Sequence, residues 1–270
     1  MPLVVMLSLA ACGGKAGTEQ PEQSVPAVEN SSQDPRPVQN VFFFAEGFAP
    51  FVMADPDNRP SGFGIDLVNA IADKQGFRAN FVPHPFSGIL KDLGKGADIA
   101  VAAITMTDER KAMVDFTNPH FETSMALMVP ADSPITSIGE VKGKNIAVVA
   151  DTLGESGLAK LQGGNGTITR SPSAWAAARE VMSKNVDGAF ADAPPLHYYA
   201  NTYKEQKLRV IEDNASPKDH YALAVTKGNT ELLGKLNRGL EQIKADGTYD
   251  KIYQKWFSTS QNKPNPAPAE

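Results

Sequence analysis

The chain has 270 residues, with 26 basic and 31 acidic side chains and a formal net charge of −5 at pH 7. This length allows one large or two modest domains. The weak acidic excess, without a basic tract, argues against nucleic acid as a partner. The single cysteine excludes an internal disulfide and a thiolate metal site. The sequence also lacks His/Cys metal spacing, and we expect neither a metal nor a cofactor.

The N-terminal segment has the pattern of an exported protein. Residues 3–11 are apolar or small and too short to cross a bilayer, so they predict a signal segment over residues 1–11. The sequence LAAC, which ends at Cys12, resembles the bacterial lipoprotein signal, and this resemblance implies cleavage before Cys12 and lipid attachment to it. Residues 12–39, rich in Gly, Glu, Gln, Ser and Pro, predict a disordered tether. Residues 261–270 predict a disordered tail.

Apolar patterns then alternate between strand and helix. The predicted elements are strands at residues 41–44, 77–81 and 99–104 and helices at residues 65–75 and 87–93, with a break of the second strand at Pro83–Pro85. Such alternation predicts a mainly parallel sheet with helices on both faces. Ligands bind beyond the carboxyl ends of the strands in such sheets. Phe48, Phe86 and Thr105 follow three of these strands, so we expect them to share a pocket.

A strand is predicted at residues 125–129, and a second set of elements with its own rhythm follows it. Strands are then predicted at residues 146–149, 187–191, 208–211 and 221–225, and helices around Leu158, at residues 174–182, after Pro194, around Leu240 and around Tyr253. The last predicted strand resembles a return to the first set. We therefore expect one lobe at residues 40–130 plus 221–260 and a second lobe at residues 131–220. Two chain crossings would form a hinge, and the cleft between the lobes is the expected ligand site.

The segment after the strand at residues 99–104 combines groups that suit a carboxylate. Thr107 is a good helix N-cap, and Asp108 and Glu109 suit the positive end of a helix dipole. Arg110 lies in the same first turn. Helix N–H groups and a two-pronged guanidinium together favour a carboxylate ligand. Taken alone, this pattern favours the interpretation of Arg110 as a solvated surface charge, and the rest of the chain favours the ligand site.

Three motifs carry a family resemblance, at residues 62–67 (GFGIDL), 103–119 (AITMTDER…DFTNP) and 187–192 (DGAFAD). They resemble the extracellular solute-binding proteins of polar amino-acid ABC transporters, the family of the glutamine-, histidine- and lysine/arginine/ornithine-binding proteins. The second motif is the most specific, and the resemblance covers roughly residues 41–257. It implies an α/β, two-lobed periplasmic-binding-protein-like fold. It also implies a monomeric substrate-binding lipoprotein, in the periplasm or at the cell surface, that closes on a free amino acid and delivers it to an ABC permease.

The resemblance also implies roles for individual residues. Arg110 would pair with the ligand α-carboxylate, assisted by Thr105, and Asp192 would hold the α-ammonium group. Phe48 and Phe86 would enclose the ligand side chain. Two alternatives remain open at this point: Asp192 as a cap of the helix that follows it, and the two phenylalanines as core residues.

Several positions depart from the family pattern. Ala103 stands where relatives often have Gly or Ser, and Asp151 replaces a common Gly. Val149 and Leu153 stand where several relatives have polar specificity residues, while Gly154 occupies the helix start expected near the carboxylate. These departures predict a more apolar pocket and a ligand with a polar uncharged or apolar side chain, which makes arginine a less favoured ligand.

The alternative function is an enzyme on the same fold, such as a cyclohexadienyl or arogenate dehydratase-like protein. Glu46, in the first loop of the cleft, would be its general acid if buried. The sequence has no Ser–His–Asp order and no His/Cys metal spacing, and the four histidines are scattered. We therefore favour a binding protein over an enzyme. A sensor partner of a signalling protein is a third interpretation.

Overall fold

The computed structural model describes residues 34–44, 47–54, 57 and 59–258. The predicted signal segment, Cys12, most of the predicted tether, Glu46 and the predicted tail lie outside these residues. In the described part the strands are β1 (Val38–Phe44), β2 (Met53–Ala54), β3 (Pro60–Ser61), β4 (Arg78–His84), β5 (Ile99–Thr105), β6 (Val114–Phe116), β7 (Phe121–Thr123), β8 (Met125–Pro130), β9 (Asn145–Val149), β10 (Thr167–Ser171), β11 (Gly188–Asp192), β12 (Leu208–Glu212) and β13 (Asp219–Thr226). The α-helices there are α1 (Phe63–Gln75), α2 (Asp108–Met113), α3 (Leu153–Gln162), α4 (Ala174–Met182), α5 (Ala193–Thr202), α6 (Thr230–Ala245) and α7 (Thr248–Phe257).

The strands form two main sheets, which confirms the two-lobed α/β fold. The first sheet has the order β4-β1-β5-β13-β6, with β7 also paired to β13, and the second has the order β10-β9-β11-β8-β12. In each sheet one strand runs against the others. This reversed strand is β13 in the first sheet, antiparallel to β5, β6 and β7, and β8 in the second, antiparallel to β11 and β12. The remaining strands of each sheet share one direction, as the sequence predicts.

The chain crosses between the sheets twice. Ser124 alone separates β7 in the first sheet from β8 in the second, and residues 213–218 lead back from β12 to β13. The two crossings are tied together, because the Asp213 N–H donates to the Met125 carbonyl at 2.8 Å. The Ala193 N–H, at the start of α5, donates to the Ser124 carbonyl, also at 2.8 Å. These bonds hold the hinge next to the end of β11.

Helices cover both faces of the second sheet, because successive residues of its strands point to opposite faces and both faces are apolar. One face packs around Leu158 of α3, and its residues are Leu127, Val129, Ile146, Val148 and Phe190. The other face packs around α4, whose buried residues are Ala174, Ala177, Ala178 and Val181. Successive strand residues point to opposite faces, so an almost continuous apolar run marks a strand buried on both sides.

The first sequence motif explains how the loop after β1 is held. Gly62 has φ +128°, and a Cβ there would collide with the Phe51 carbonyl, so only glycine fits. The N–H groups of Phe63 and Gly64 donate to the carbonyls of Pro50 and Phe51 at 2.9 and 2.8 Å. The start of α1 therefore fixes the loop that carries Phe48.

Four sequence predictions need correction. The strand Met125–Pro130 lies in the second sheet, not in the first lobe, because it pairs with β11 and β12. Strand β4 continues through Pro83, which an edge strand tolerates because it needs no donor on its outer side. The helix predicted at residues 87–93 is a 3₁₀ turn, Phe86–Gly88, followed by turns. Strand β1 begins at Val38, inside the predicted tether, because residues 38–40 pair with residues 78–80 of β4.

None of the helices in the described part of the chain is long and apolar enough to span a bilayer.

Candidate ligand-binding cleft

Four strands end at one cavity between the two sheets. Phe44, Thr105, Val149 and Asp192 are the last residues of β1, β5, β9 and β11, and all four line this cavity. The first two belong to the first sheet and the other two to the second. Carboxyl ends of parallel strands are the usual ligand site in α/β sheets, and here two such edges face each other.

The cavity is small and has mostly apolar walls. Its volume is about 20 Å³, which is room for roughly one water molecule. The residues around it are Phe44, Phe48, Phe86, Ala102, Ala103, Thr105, Arg110, Val149, Thr152, Leu153 and Asp192. Seven of the eight ligand-contacting residues predicted from the sequence are therefore brought together. The exception is Gly154, which follows the wall residue Leu153 in the chain but does not line the cavity. The roles of all eight residues remain predictions.

Arg110 is held at the first-sheet edge of the cavity by the turn that precedes α2. Its N–H donates to the Thr107 hydroxyl at 3.2 Å, which confirms Thr107 as the N-cap. Its Nη1 donates to the Thr105 carbonyl at 3.0 Å, and its guanidinium carbon lies 5.7 Å from the centre of the Phe86 ring. The other guanidinium N–H groups have no acceptor among the described residues. Burial lowers the pKa of Arg110, and the nearby Asp192 carboxylate opposes this shift.

Asp192 faces the same cavity from the second sheet. It occupies the N-cap position of α5, but its side chain makes no capping hydrogen bond, so the alternative role as a cap is not realised. Pro194 and Pro195 lie at the start of α5, where the missing N–H groups need no cap. Burial raises the pKa of Asp192 to about 6, against the lowering influence of the Tyr221 hydroxyl and the Arg110 guanidinium. In the described part of the chain, no ion pair within 4 Å joins Arg110 and Asp192.

The start of α3 forms the opposite wall. The Thr152 hydroxyl donates to the Val149 carbonyl at 2.7 Å and makes no capping bond, so it leaves the first N–H groups of α3 uncapped by a side chain. Leu153 lies against the cavity. Gly154 packs closely against β8 and β11, since a Cβ there would lie 3.2 Å from Met125 Cε and 3.4 Å from the Phe190 carbonyl oxygen.

Two departures from the family pattern sit on unusual backbone. Ala103 has φ +50° and lies where β13 is out of step with β5, between Ala222 and Ala224. Asp151 has φ +61°, a conformation that Asp adopts more readily than most residues. Its carboxylate pairs with Arg170 at 2.8 Å, outside the cavity wall. Both positions have the left-handed conformation that glycine adopts at no steric cost.

Phe44, Ala102 and Thr152 line the cavity but were not predicted. Phe44 is the last residue of β1, as Thr105 is of β5, so the expectation that ligands bind at the carboxyl ends of strands applies to Phe44 as well. Ala102 and Thr152 carry no chemical signal of their own. Glu46, the proposed acid of the enzyme alternative, lies outside the described residues.

A second, wider cavity lies beside the hinge. Its volume is about 400 Å³, and its walls come from α5, α7, β7 and the two crossings, with Ser124, His197, Lys218 and Trp256 among its residues. The His197 ring pairs with Glu212 at 2.7 Å along one side. Arg110 and Asp192 do not line it, so the facing charges belong to the smaller cavity.

Two sheets joined by two crossings, with charged groups facing across an enclosed gap, define a two-lobed ligand-binding protein. The chain matches the bacterial extracellular solute-binding proteins, family 3, over residues 41–259, and it belongs to this family. It is 31% identical over 255 residues to a probable histidine-binding protein of Neisseria gonorrhoeae, an alignment that covers 93% of this chain and 91% of the relative.

Solved structures agree with this assignment. An ancestral arginine-binding protein bound to glutamine has a TM-score of 0.74 and 37% identity, covering 82% of this chain and 98% of that one. An ancestral amino acid-binding protein, described as a precursor of cyclohexadienyl dehydratase, has a TM-score of 0.74 and 32% identity, covering 82% and 95% of the two chains. Family membership makes this an extracellular solute-binding protein, and all three of these relatives are named as binding proteins.

Proposed function

We propose that this protein is the substrate-binding lipoprotein of an amino-acid ABC importer, which closes its lobes on a free L-amino acid and delivers it to the permease. The observation that carries the proposal is the placement of Arg110 and Asp192 on opposite walls of one cavity without an ion pair between them. A zwitterion offers each of these groups a partner of opposite charge. Buried charges need such partners, because an unpaired charge away from water is expensive.

Closure follows from contacts that exist only when the lobes meet. The ligand carboxylate would bind Arg110 in the first lobe, and the ligand ammonium would bind Asp192 in the second. A ligand that touches both lobes stabilises the closed arrangement by the difference in its contacts between the two states. A cavity of about 20 Å³ is smaller than any amino acid, so loading requires the lobes to separate at Ser124 and residues 213–218.

The lining supports a ligand with an uncharged side chain. Among the described residues, Arg110 and Asp192 are the charged groups on the cavity wall, and both are assigned to the ligand backbone. Phe44, Phe48 and Leu153 leave an apolar space for the side chain. The Neisseria relative is named for histidine, and the ancestral arginine-binding protein is bound to glutamine, so the relatives leave the ligand open.

Titration calorimetry with a panel of amino acids tests the proposal. The full chain should bind one or more neutral amino acids, with glutamine and histidine measured beside arginine and lysine. Ligand recovered unchanged after release supports transport. Absence of heat and of any rise in the unfolding temperature across the whole panel would refute amino-acid binding.

Lipid attachment at Cys12 needs a separate test. Bacteria that express the full chain are labelled with a radioactive fatty acid and fractionated. Label and protein should appear together in the membrane fraction, and Cys12→Ser should abolish both signals. An unlabelled wild-type chain would leave the importer proposal intact but would remove the anchor.

The similarity to a dehydratase precursor keeps one enzymatic test worthwhile. Prephenate and arogenate are incubated with the full chain, and aromatic product is followed by absorbance. We expect no product above the uncatalysed rate. Turnover that is lost in Glu46→Gln would support the enzyme alternative instead.

A further inference from the structure

Tyr221 is a buried phenol beside the proposed ammonium site. It is fully buried on β13, and its hydroxyl has no hydrogen-bond partner of good geometry in the described structure, although the Asp192 carboxylate and the Thr123 hydroxyl are close to it. Its ring packs edge-on against Phe51, with centroids 5.1 Å apart, and is stacked on Phe121 at 6.0 Å. The ring position is therefore fixed, while the hydroxyl remains unsatisfied.

The hydroxyl faces the lobe boundary. Its neighbours are the Asp192 carboxylate of the second lobe and the Thr123 hydroxyl at the first crossing, with the Asp219 carboxylate close by. The Thr123 hydroxyl donates to the Ser124 carbonyl. Tyr221 also lies opposite Thr105 in the pairing of β13 with β5, and the Thr105 carbonyl holds Arg110. Tyr221 thus stands between the two ends of the proposed zwitterion site.

We propose that Tyr221 is a positioning residue, which donates a hydrogen bond across the lobe boundary to the ionised Asp192 carboxylate and orients it towards the ligand ammonium group. This proposal rests on the proposed function for the identity of the ligand. Burial raises the pKa of Tyr221, so the phenol stays protonated and is a donor at every physiological pH. A small reorientation of the Asp192 side chain around the ligand ammonium group would satisfy the hydroxyl and the carboxylate together.

The proposal predicts opposite effects on stability and on binding. Tyr221→Phe removes a hydroxyl that has no partner, so the unliganded full chain should unfold at the same or a higher temperature. The same variant should bind L-glutamine, used as the probe, roughly 10- to 150-fold more weakly, as expected for a hydrogen bond to a charged group. A purely structural tyrosine would lower the unfolding temperature and leave the affinity of the folded protein unchanged.

Tyr249→Phe is the matched control. The Tyr249 hydroxyl donates to the His120 carbonyl at 2.6 Å in the same aromatic cluster, and Tyr249 is not among the groups that act on Asp192. This variant should lower the unfolding temperature and leave glutamine affinity unchanged. Equal behaviour of the two variants would overturn the role of Tyr221.

A ligand-free measurement separates this proposal from the proposed function. The groups that face Asp192 are Tyr221, Asp219 and Arg110, and its pKa of about 6 exceeds the usual 3.8. The folded state therefore binds the proton more tightly, and the contribution of Asp192 to stability falls as pH rises from about 4 to 6. This contribution is the difference in unfolding free energy between wild type and Asp192→Asn.

The Tyr221 hydroxyl lowers the pKa of Asp192 already in the ligand-free chain, so its loss should raise this pKa and extend the fall in stability to higher pH. To test this, the difference in unfolding free energy between the chains with Asp and with Asn at position 192 is also measured in the Tyr221→Phe variant. If this difference has the same pH profile with and without the Tyr221 hydroxyl, the proposal is overturned. If glutamine and every other amino acid fail to bind, the proposed function fails, while the pH profile still decides the role of Tyr221.

Discussion

Arg110 Nη1 donates to the main-chain carbonyl of Thr105, at 3.0 Å, and thereby ties the guanidinium to the end of β5. A carbonyl is a neutral acceptor, so this hydrogen bond does not neutralise the positive charge of Arg110. The remaining N–H groups of Arg110 have no acceptor in the described part of the chain. The side chain is thus oriented in advance, and its charge is left for another molecule.

Arg110→Ala should weaken amino-acid binding by roughly 2–5 kcal/mol, because it leaves the ligand carboxylate buried without its partner. Titration calorimetry measures the change. Arg238→Ala, an exposed arginine on α6, is the control and should bind as the wild type does. An affinity of Arg110→Ala equal to that of the control would remove Arg110 from the site.

Asp192→Asn should weaken amino acids far more than the same compounds without the amino group. The amide keeps the shape of the side chain but lacks the charge that an ammonium group requires. Competition binding of each amino acid and its deaminated analogue gives the two losses. Asp250→Asn, at an exposed carboxylate on α7 away from the cavity wall, controls for net charge. Equal losses for both ligand types would mean that Asp192 has only a structural role.

Affinity should fall on acidification through the pKa of Asp192. Burial raises this pKa to about 6, and only the ionised carboxylate attracts an ammonium group. Binding should therefore weaken by roughly tenfold between pH 7 and pH 5, since about one tenth of the carboxylate stays ionised at the lower value. Tyr221, Asp219 and Arg110 face the same group and are retained in this experiment. Asp192→Asn should show a flat profile, and a wild-type profile that is flat as well would contradict the assignment.

Ala103→Gly should leave the fold equally stable or stabilise it by up to about 1.5 kcal/mol. Left-handed backbone costs an alanine about 1–2 kcal/mol, and the added chain entropy of glycine offsets about 0.5–1 kcal/mol of the relief. Urea unfolding measures the difference. Ala100→Gly, in the same strand and buried, lacks this relief and should destabilise the protein. The argument from strain would fail if both variants lost stability equally.

Sequence patterns were sufficient for most helices and for the edge at which the site lies. Residues 174–182 form α4 with the predicted bounds, because Ala and Val recur there at helical spacing. Phe48, Phe86 and Thr105 meet because each lies at or after the carboxyl end of a strand of one parallel set. A pocket at the carboxyl ends of the strands follows from the order of strands and helices along the chain, and this order can be predicted from the sequence.

The sheet to which a strand belongs and the local conformation of the chain could not be predicted in the same way. Residues 125–130 are equally apolar in either sheet, and only their pairing partners place them in the second. Pro83 breaks an inner strand but not an edge strand, and the sequence does not say which one it occupies. Likewise, Asp192 before Pro194 is a good cap by type, and the side chain nevertheless faces the cavity.

The reversed strands have a consequence for any attempt to divide the molecule. Strand β13 pairs with β5, β6 and β7, yet it is synthesised only after the whole second sheet. A fragment that stops at Glu212 would expose these partners along one side. Expression of either part of a chain divided at Glu212 should therefore give insoluble material. The intact chain should unfold on heating in a single cooperative transition.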